Sequence, residues 1–304
     1  MEIGKVRCND VNFLPYLWVL LAAMLWGTTG TAQTFIDGTA HPLTIGALRL
    51  SIGGFSLLAF VIWAKTLNAR TIPWKAAWLS AAAMALFQPL FFSSVQLTGI
   101  AVGTVVAIGS APVFTGILEW TFFKKNPDRI WMIATACAIA GCFLLFANTE
   151  SATIDSFGVL LALGAGLSFA GYAIVSKSVL QAMEAVPAVA VIFSLSALFL
   201  LPFLLFLDLT YIQAPQNLGV ILYLGIAATG LSYILFSTGL KQIASSSAVT
   251  LSLAEPLTAS LLGVLVVGET LSGTAWSGVF LLLCGILVLT LAKKKTIGKK
   301  TASN

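Results

Sequence analysis

Charge is scarce in this 304-residue chain: only 9% of its residues are Asp, Glu, Lys or Arg, against about a quarter in an ordinary soluble domain. With a mean hydropathy of +0.99 as well, a soluble globule is excluded and a polytopic membrane protein is indicated. Histidine occurs once, as His41. That leaves no nucleophile–base pair for a membrane-embedded, lipid-modifying transferase. The four cysteines, Cys8, Cys137, Cys142 and Cys284, are scattered without CxxC spacing, so they read as structural thiols and neither a metal nor a redox centre is expected. No GxxxxGK[ST] loop is present to hold a nucleotide, which removes a primary pump, and no cofactor is implied. The first apolar run lacks a small-residue cleavage site followed by a soluble domain, and reads as an uncleaved helix.

What the sequence does have is apolar segments, at 14–34, 42–64, 74–96, 101–123, 129–147, 157–180, 187–207, 217–240, 246–267 and 273–292. Each is long enough to cross a hydrocarbon core of about 30 Å with some tilt, and the loops between them are too short for a separate domain. The expected fold is an all-α integral membrane protein of ten transmembrane helices. Its divisions are a terminal segment 1–13, a five-helix block 14–147, a loop 148–156, a second block 157–292 and a basic tail 293–304.

The basic residues give this layout a direction. Lys5 and Arg7 precede the first span. Lys65, Arg70 and Lys75 lie between spans two and three, and Lys124, Lys125 and Arg129 between four and five. Lys177 closes span six, Lys241 closes span eight, and Lys293, Lys294, Lys295, Lys299 and Lys300 follow span ten. Every Lys and Arg except Arg49 therefore falls on one side, while the opposite loops carry Asp37, Glu150, Asp155, Asp208 and Glu269. By the positive-inside rule both termini are cytoplasmic. The tail lysines are a topology anchor attracted to anionic lipid; a nucleic-acid partner is not expected.

Displacing the chain by 144 residues lays Gly27 on Gly171, Phe92 on Phe236, Ser93 on Ser237, Pro112 on Pro256 and Gly141 on Gly285, with no insertion. Each match falls at the same place in corresponding spans, as in a duplicated five-helix unit. Five is odd, so the second unit enters from the other side. The two halves are then an inverted repeat, with a site expected near the midplane where they meet. Pro112 and Pro256 are the paired helix interruptions.

The Leu25-Trp26-Gly27 step, Leu48-Arg49-Leu50, the proline of span four, and Glu255-Pro256 followed by Gly263 and Gly268-Glu269-Thr270-Leu271 resemble the EamA repeats of the drug/metabolite transporter superfamily. The resemblance runs from about Leu14 to Leu291. It implies a ten-helix inner-membrane carrier, commonly an exporter of amino acids or other small metabolites. Two departures make any carboxylate chemistry asymmetric: Ala111 stands opposite Glu255, and Lys125 opposite Glu269.

Glu255 lies ten residues into span nine, roughly 15 Å along a helix and near the midplane. A carboxylate there costs about 2.5 to 3.5 kcal/mol on insertion scales, so it should face a wet cavity or protein. Functionally it exchanges a proton or meets a cationic group; the plainer reading is a hydrogen bond that fixes packing. Pro256 has no N–H for the carbonyl of Ser252 and is expected to leave it free. Arg49, roughly 10 Å deep, either snorkels outward or serves a solute site. Glu119 reads as an interfacial charge paired with Lys124 or Arg129. Trp26 is a packing residue or a cavity wall. Thr28, Thr29, Gln88, Ser110, Tyr172 and Tyr233 are polar groups in the spans, some for helix contacts and some for a solute path.

The reading that follows is a secondary carrier, outward and proton-driven, for amino acids and related metabolites in the cell (inner) membrane. Arg49 would meet a carboxylate and Glu255 a proton or an amine. A passive facilitator that uses Glu255 only as a selectivity charge is the alternative. The partners are a small-molecule substrate and the lipid bilayer, and a homodimer is left open.

Overall fold

A computed structural model describes residues 13–36, 41–147, 155–207 and 209–301, with side chains at 100, 101 and 292–301 excepted. Among the described residues the fold is all helix, with no strand. The helices are α1 (Leu14–Gln33), α2 (Pro42–Trp63), α3 (Trp74–Gly99), α4 (Val102–Phe123), α5 (Arg129–Phe146), α6 (Ser156–Ala182), α7 (Ala185–Leu204), α8 (Pro215–Leu240), α9 (Ser245–Val267) and α10 (Gly273–Thr301). Nine stretches of the described chain, α2 to α9 and the Gly273–Leu291 part of α10, are long and apolar enough to cross a bilayer. The twenty-residue α1 falls outside that set; Thr28, Thr29, Thr31 and Gln33 make its second half polar. Lys5, Arg7, Asp37, Glu150 and Asp208, most of 1–13 and of 148–156, and the tail lysine side chains lie outside what is described.

Local chemistry sets the helix ends. His41 is extended and accepts at Nδ1 from the Leu43 N–H (3.3 Å), with Pro42 opening α2 as a residue whose missing N–H costs nothing there. Asp155 caps α6 by accepting from the Gly158 N–H at 2.7 Å, and Asp128 caps α5. Gly99, at φ 81°, ψ 162°, turns the chain from α3 into α4 within a couple of residues. Only glycine enters that region at little cost. Short connections make consecutive helices antiparallel, which groups Lys65, Lys75, Lys124, Lys125, Arg129, Lys177 and Lys241 at one end of the bundle, here the basic end. Gln33, Pro42, Gly99, Phe146 and Glu269 mark the other.

The packing repeats itself. α2 packs along α7, α5 along α10, the α3–α4 hairpin along α6, and α1 along α8 and α9; exchanging the two halves of the chain maps this set onto itself. The α5–α10 crossing makes the relation atomic. A Cβ added at Gly141 would stand 2.6 Å from Leu282 N and 2.8 Å from Gly278 O; one at Gly285 would stand 2.9 Å from Ala138 N and 2.7 Å from Ala134 O. Ala134 and Ala138 precede Gly278 and Leu282 by the same 144 positions that separate Gly141 from Gly285. Such reciprocity is the mark of a two-fold relation, and small residues are what let the backbones come so close. Gly141→Val and Gly285→Val are therefore expected to destabilise equally, each by about 1 to 3 kcal/mol for overpacking. Gly219→Val, where nothing lies within 4 Å, should be close to neutral. Thermal unfolding in detergent compares the three.

Two interruptions differ from expectation. α4 runs through Pro112 without a break, the non-helical residue of that stretch being Gly99. α9 does break, into Ser245–Leu251 and Ala254–Leu262, yet the Ser252 carbonyl is not free: it accepts from the Glu255 N–H at 2.9 Å. Since Pro256 has no N–H to give, the chain tightens to a three-residue bond at that point.

Candidate functional site

A cavity of about 780 Å³ lies between the halves. Four helices supply most of its wall, each with one face at helical spacing. α1 gives Trp26, Thr29, Gly30 and Gln33, and α3 gives Gln88, Phe91, Phe92 and Val95. α4 gives Thr104, Ala107, Ile108 and Ala111, and α9 gives Ser252, Glu255, Pro256, Ala259, Ser260 and Gly263. α2 adds Arg49. The lining reaches the helix ends opposite the basic end, at Thr34, Pro42, Phe146 and Glu269, and Glu269 there is exposed.

Toward the basic end the cavity stops on aromatic rings. Trp26, Phe169 and Tyr233 line it, with Trp26 4.7 Å from Tyr233 and 6.1 Å from Phe169 between centroids. Phe193 and Phe236 back them at 4.4 Å from Tyr233 and 5.3 Å from Trp26. The indole is fixed by donating to Ser232 Oγ at 2.8 Å, next to the π-helical turn Ile226–Leu231; such turns recur at functional sites. Gly27 admits α9 against α1, since a Cβ there would stand 2.7 Å from the Glu255 carbonyl.

The electrostatics of the cavity are unspent. Among the described residues the one ion pair is Lys241–Glu184, at 3.2 Å and the basic end. Arg49 and Glu255 line the same cavity without pairing. Arg49 Nε, both amide atoms of Gln88 and Thr29 Oγ1 are buried without a protein partner. Buried polar groups are normally bonded, and these four atoms belong to residues that line one cavity, where a solute or water can reach them. A guanidinium suits a carboxylate, a carboxyl suits an amine or a proton, and an amide suits either. Among the described residues no three His, Cys, Asp or Glu gather as a metal site.

Six of the eight sequence-expected pathway residues, Glu255, Arg49, Trp26, Thr29, Gln88 and Tyr233, thus line one cavity. Two do not. Ser110 donates to the Ala107 carbonyl and packs on Gly166 of α6, where a Cβ would clash with it. Tyr172 is fully buried behind the cavity, 5.8 Å from Tyr233 and 6.1 Å from Phe193. Thr28, bonded to the Leu25 carbonyl and Tyr223, lies on another face. Glu119 is also corrected. It pairs with neither Lys124 nor Arg129; buried, it accepts from Ser245 N–H and Ser246 O–H. Lining residues not foreseen include Phe87, Phe91, Phe92 and Phe169, with Glu269 at the mouth. The spacing of Phe91, Phe92 and Val95 after Gln88 was the available signal.

Comparison with known proteins agrees with this layout. The model of the EamA-like transporter family matches residues 13–147 and again 156–291. An uncharacterized transporter of Bacillus subtilis, YwfM, is 50% identical over 286 residues, covering 94% of this chain and 96% of that one. The threonine/homoserine exporter RhtA of Escherichia coli K12 is 28% identical over 285 residues, 88% of each chain. A solved crystal structure matches in fold with a TM-score of 0.79 at 20% identity, over 93% of this chain and 98% of that one.

Proposed function

Because the chain belongs to the EamA-like transporter family and is a multi-pass membrane protein, we propose that it exports small zwitterionic or carboxylate solutes, such as amino acids, by proton-coupled alternating access. Family and relatives indicate a transporter and not an enzyme. In this reading all ten helices cross the membrane, the two repeats are inverted about an axis in its plane, and both termini lie in the cytoplasm. The basic end is then the inner end, and the cavity faces outward.

The observation that carries the reading is the unpaired opposition of Arg49 and Glu255 in one cavity. A fixed ion pair at that place would argue for a structural role, because a buried pair satisfies itself. Two separated charges leave the stabilising partner to be supplied by a solute. A zwitterion would give its carboxylate to Arg49 and its ammonium to Glu255, and a proton on Glu255 would compete with the ammonium. That competition is the coupling. RhtA, a threonine/homoserine exporter by name, is consistent with an amino-acid cargo.

The experiment is uptake into proteoliposomes of a mixed pool of amino acids and organic acids, with and without an imposed pH gradient. Accumulation that needs the gradient is expected. Equilibration indifferent to the gradient would identify a facilitator in its place.

A further inference from the structure

The end of the cavity that is shut is held by hydrogen bonds, and the same positions at the open end cannot make them. At the basic end every residue of Ser245–Leu251, the first piece of α9, is buried. Glu119 of α4, only 8% exposed, accepts from the Ser245 N–H at 2.8 Å and from the Ser246 hydroxyl at 2.5 Å. Trp131 of α5 donates from Nε1 to Thr250 Oγ1 at 2.9 Å, and Thr135 shares a hydrogen bond with the same oxygen at 2.9 Å. Three residues of the first repeat thereby hold one short helical piece of the second. Charge-assisted bonds accepted by a buried carboxylate are the strong members of such a set.

The two-fold relation allows each position to be compared with its mate 144 residues away. Glu119 corresponds to Gly263, Ser246 to Val102, Trp131 to Ala275, Thr135 to Val279, and Thr250 to Val106. No side chain of the second set can form the bonds of the first. Gly263 and Ala275 line the open part of the cavity, where mates of a latch would have to close. Closure at the inner end is thus polar, and the mates of these residues cannot supply the same bonds at the outer end. A conformation is favoured by whatever contacts it alone makes, and the polar set is made here with the inner end closed.

We infer that Glu119, supported by Trp131 and Thr250, is the inner gate latch of this carrier and holds the empty protein with its cavity open to the outside. The break at Ser252–Leu253, between the latched piece of α9 and Glu255, is where the piece swings. Glu119 touches no solute in this scheme; it is a positioning residue for the gate. The inference rests on the alternating-access reading above.

The test uses two reporter cysteines in otherwise full-length protein, labelled by a membrane-impermeant maleimide with the parent chain as background. Ala248→Cys sits in the latched piece, one helical turn below Ser252, and is fully buried now; Ala259→Cys lines the open cavity. Glu119→Gln and Ser246→Ala each weaken the latch with little change of volume, and Trp131→Phe removes the N–H donor together with the ring atoms that pack on Gly116. Labelling at Ala248→Cys from the inner face is expected to rise at least tenfold in these variants, with a matching fall at Ala259→Cys from the outer face.

Unchanged labelling in monodisperse Glu119→Gln and Ser246→Ala protein would make the bonds a plain helix cap and overturn the inference. A rise at Ala248→Cys without the fall at Ala259→Cys would mean a loosened fold, and overturns it too. The two readings separate in the unsubstituted latch background. If solute exchanges the labelling patterns there while the variants leave them in place, the latch alone fails. If solute never exchanges them, alternating access fails and the latch with it.

Discussion

Glu255→Gln should abolish accumulation driven by a pH gradient while leaving solute exchange across the membrane measurable. One unit of pH is worth about 1.4 kcal/mol per proton moved, or roughly tenfold in concentration. A carrier moving one proton per solute therefore accumulates about tenfold per unit of gradient, and the variant, having no proton to move, should settle at equal concentrations. The substitution is informative because the amide keeps the volume and hydrogen-bonding capacity of the carboxyl. Glu255 sits beside Pro256 in a cramped segment, with Gly27 pressed against its carbonyl, so a larger change would confound packing with chemistry. Counterflow of labelled solute in the absence of a gradient is the control. A variant that still accumulates against a gradient would return Glu255 to a structural role, and one that has lost counterflow as well would show that the carboxylate is needed for binding.

The fold was legible because a membrane imposes its rules on sequence directly. Span lengths, the one-sided basic residues and the 144-residue displacement are visible without contacts, and the displacement reappears in the reciprocal packing of Gly141 and Gly285. Position along each span could be counted as well, which is why Glu255, Arg49 and Trp26 could be singled out. Rotation about each helix axis was not. Ser110 and Ala111 are neighbours in sequence, yet Ala111 lines the cavity and Ser110 faces α6, a difference of one step around the helix that no hydropathy pattern reports when every face is apolar. Pro112 failed for a related reason. Its symmetry mate Pro256 breaks α9, while α4 continues through Pro112, so proline marks only where a helix can break. Glu119 was misread because its basic neighbours in sequence lie just beyond the helix end, whereas its partners Ser245 and Ser246 come from the far half of the chain.

The opposite charge should be separable from Glu255 by its solute dependence. Arg49→Ala is expected to raise KM for carboxylate solutes by ten- to about a hundred-fold, the equivalent of roughly 1.5 to 3 kcal/mol for hydrogen bonds to a charged group. KM for the corresponding carboxamides should change little, since they offer no anion to lose. Arg49→Lys is expected to fall between the two: it restores the charge as a point but not the planar fork that meets both carboxylate oxygens. Gln88, whose amide atoms find no protein partner on the same wall, supplies the neutral contact, and Gln88→Leu should raise KM for both classes alike. If Arg49→Ala instead weakens carboxylates and carboxamides equally, the guanidinium is shaping the cavity and not reading the solute. Proton coupling should survive in Arg49→Ala with the accumulation ratio unchanged at saturating solute, because that ratio depends on how many protons cross and not on how tightly the cargo is held.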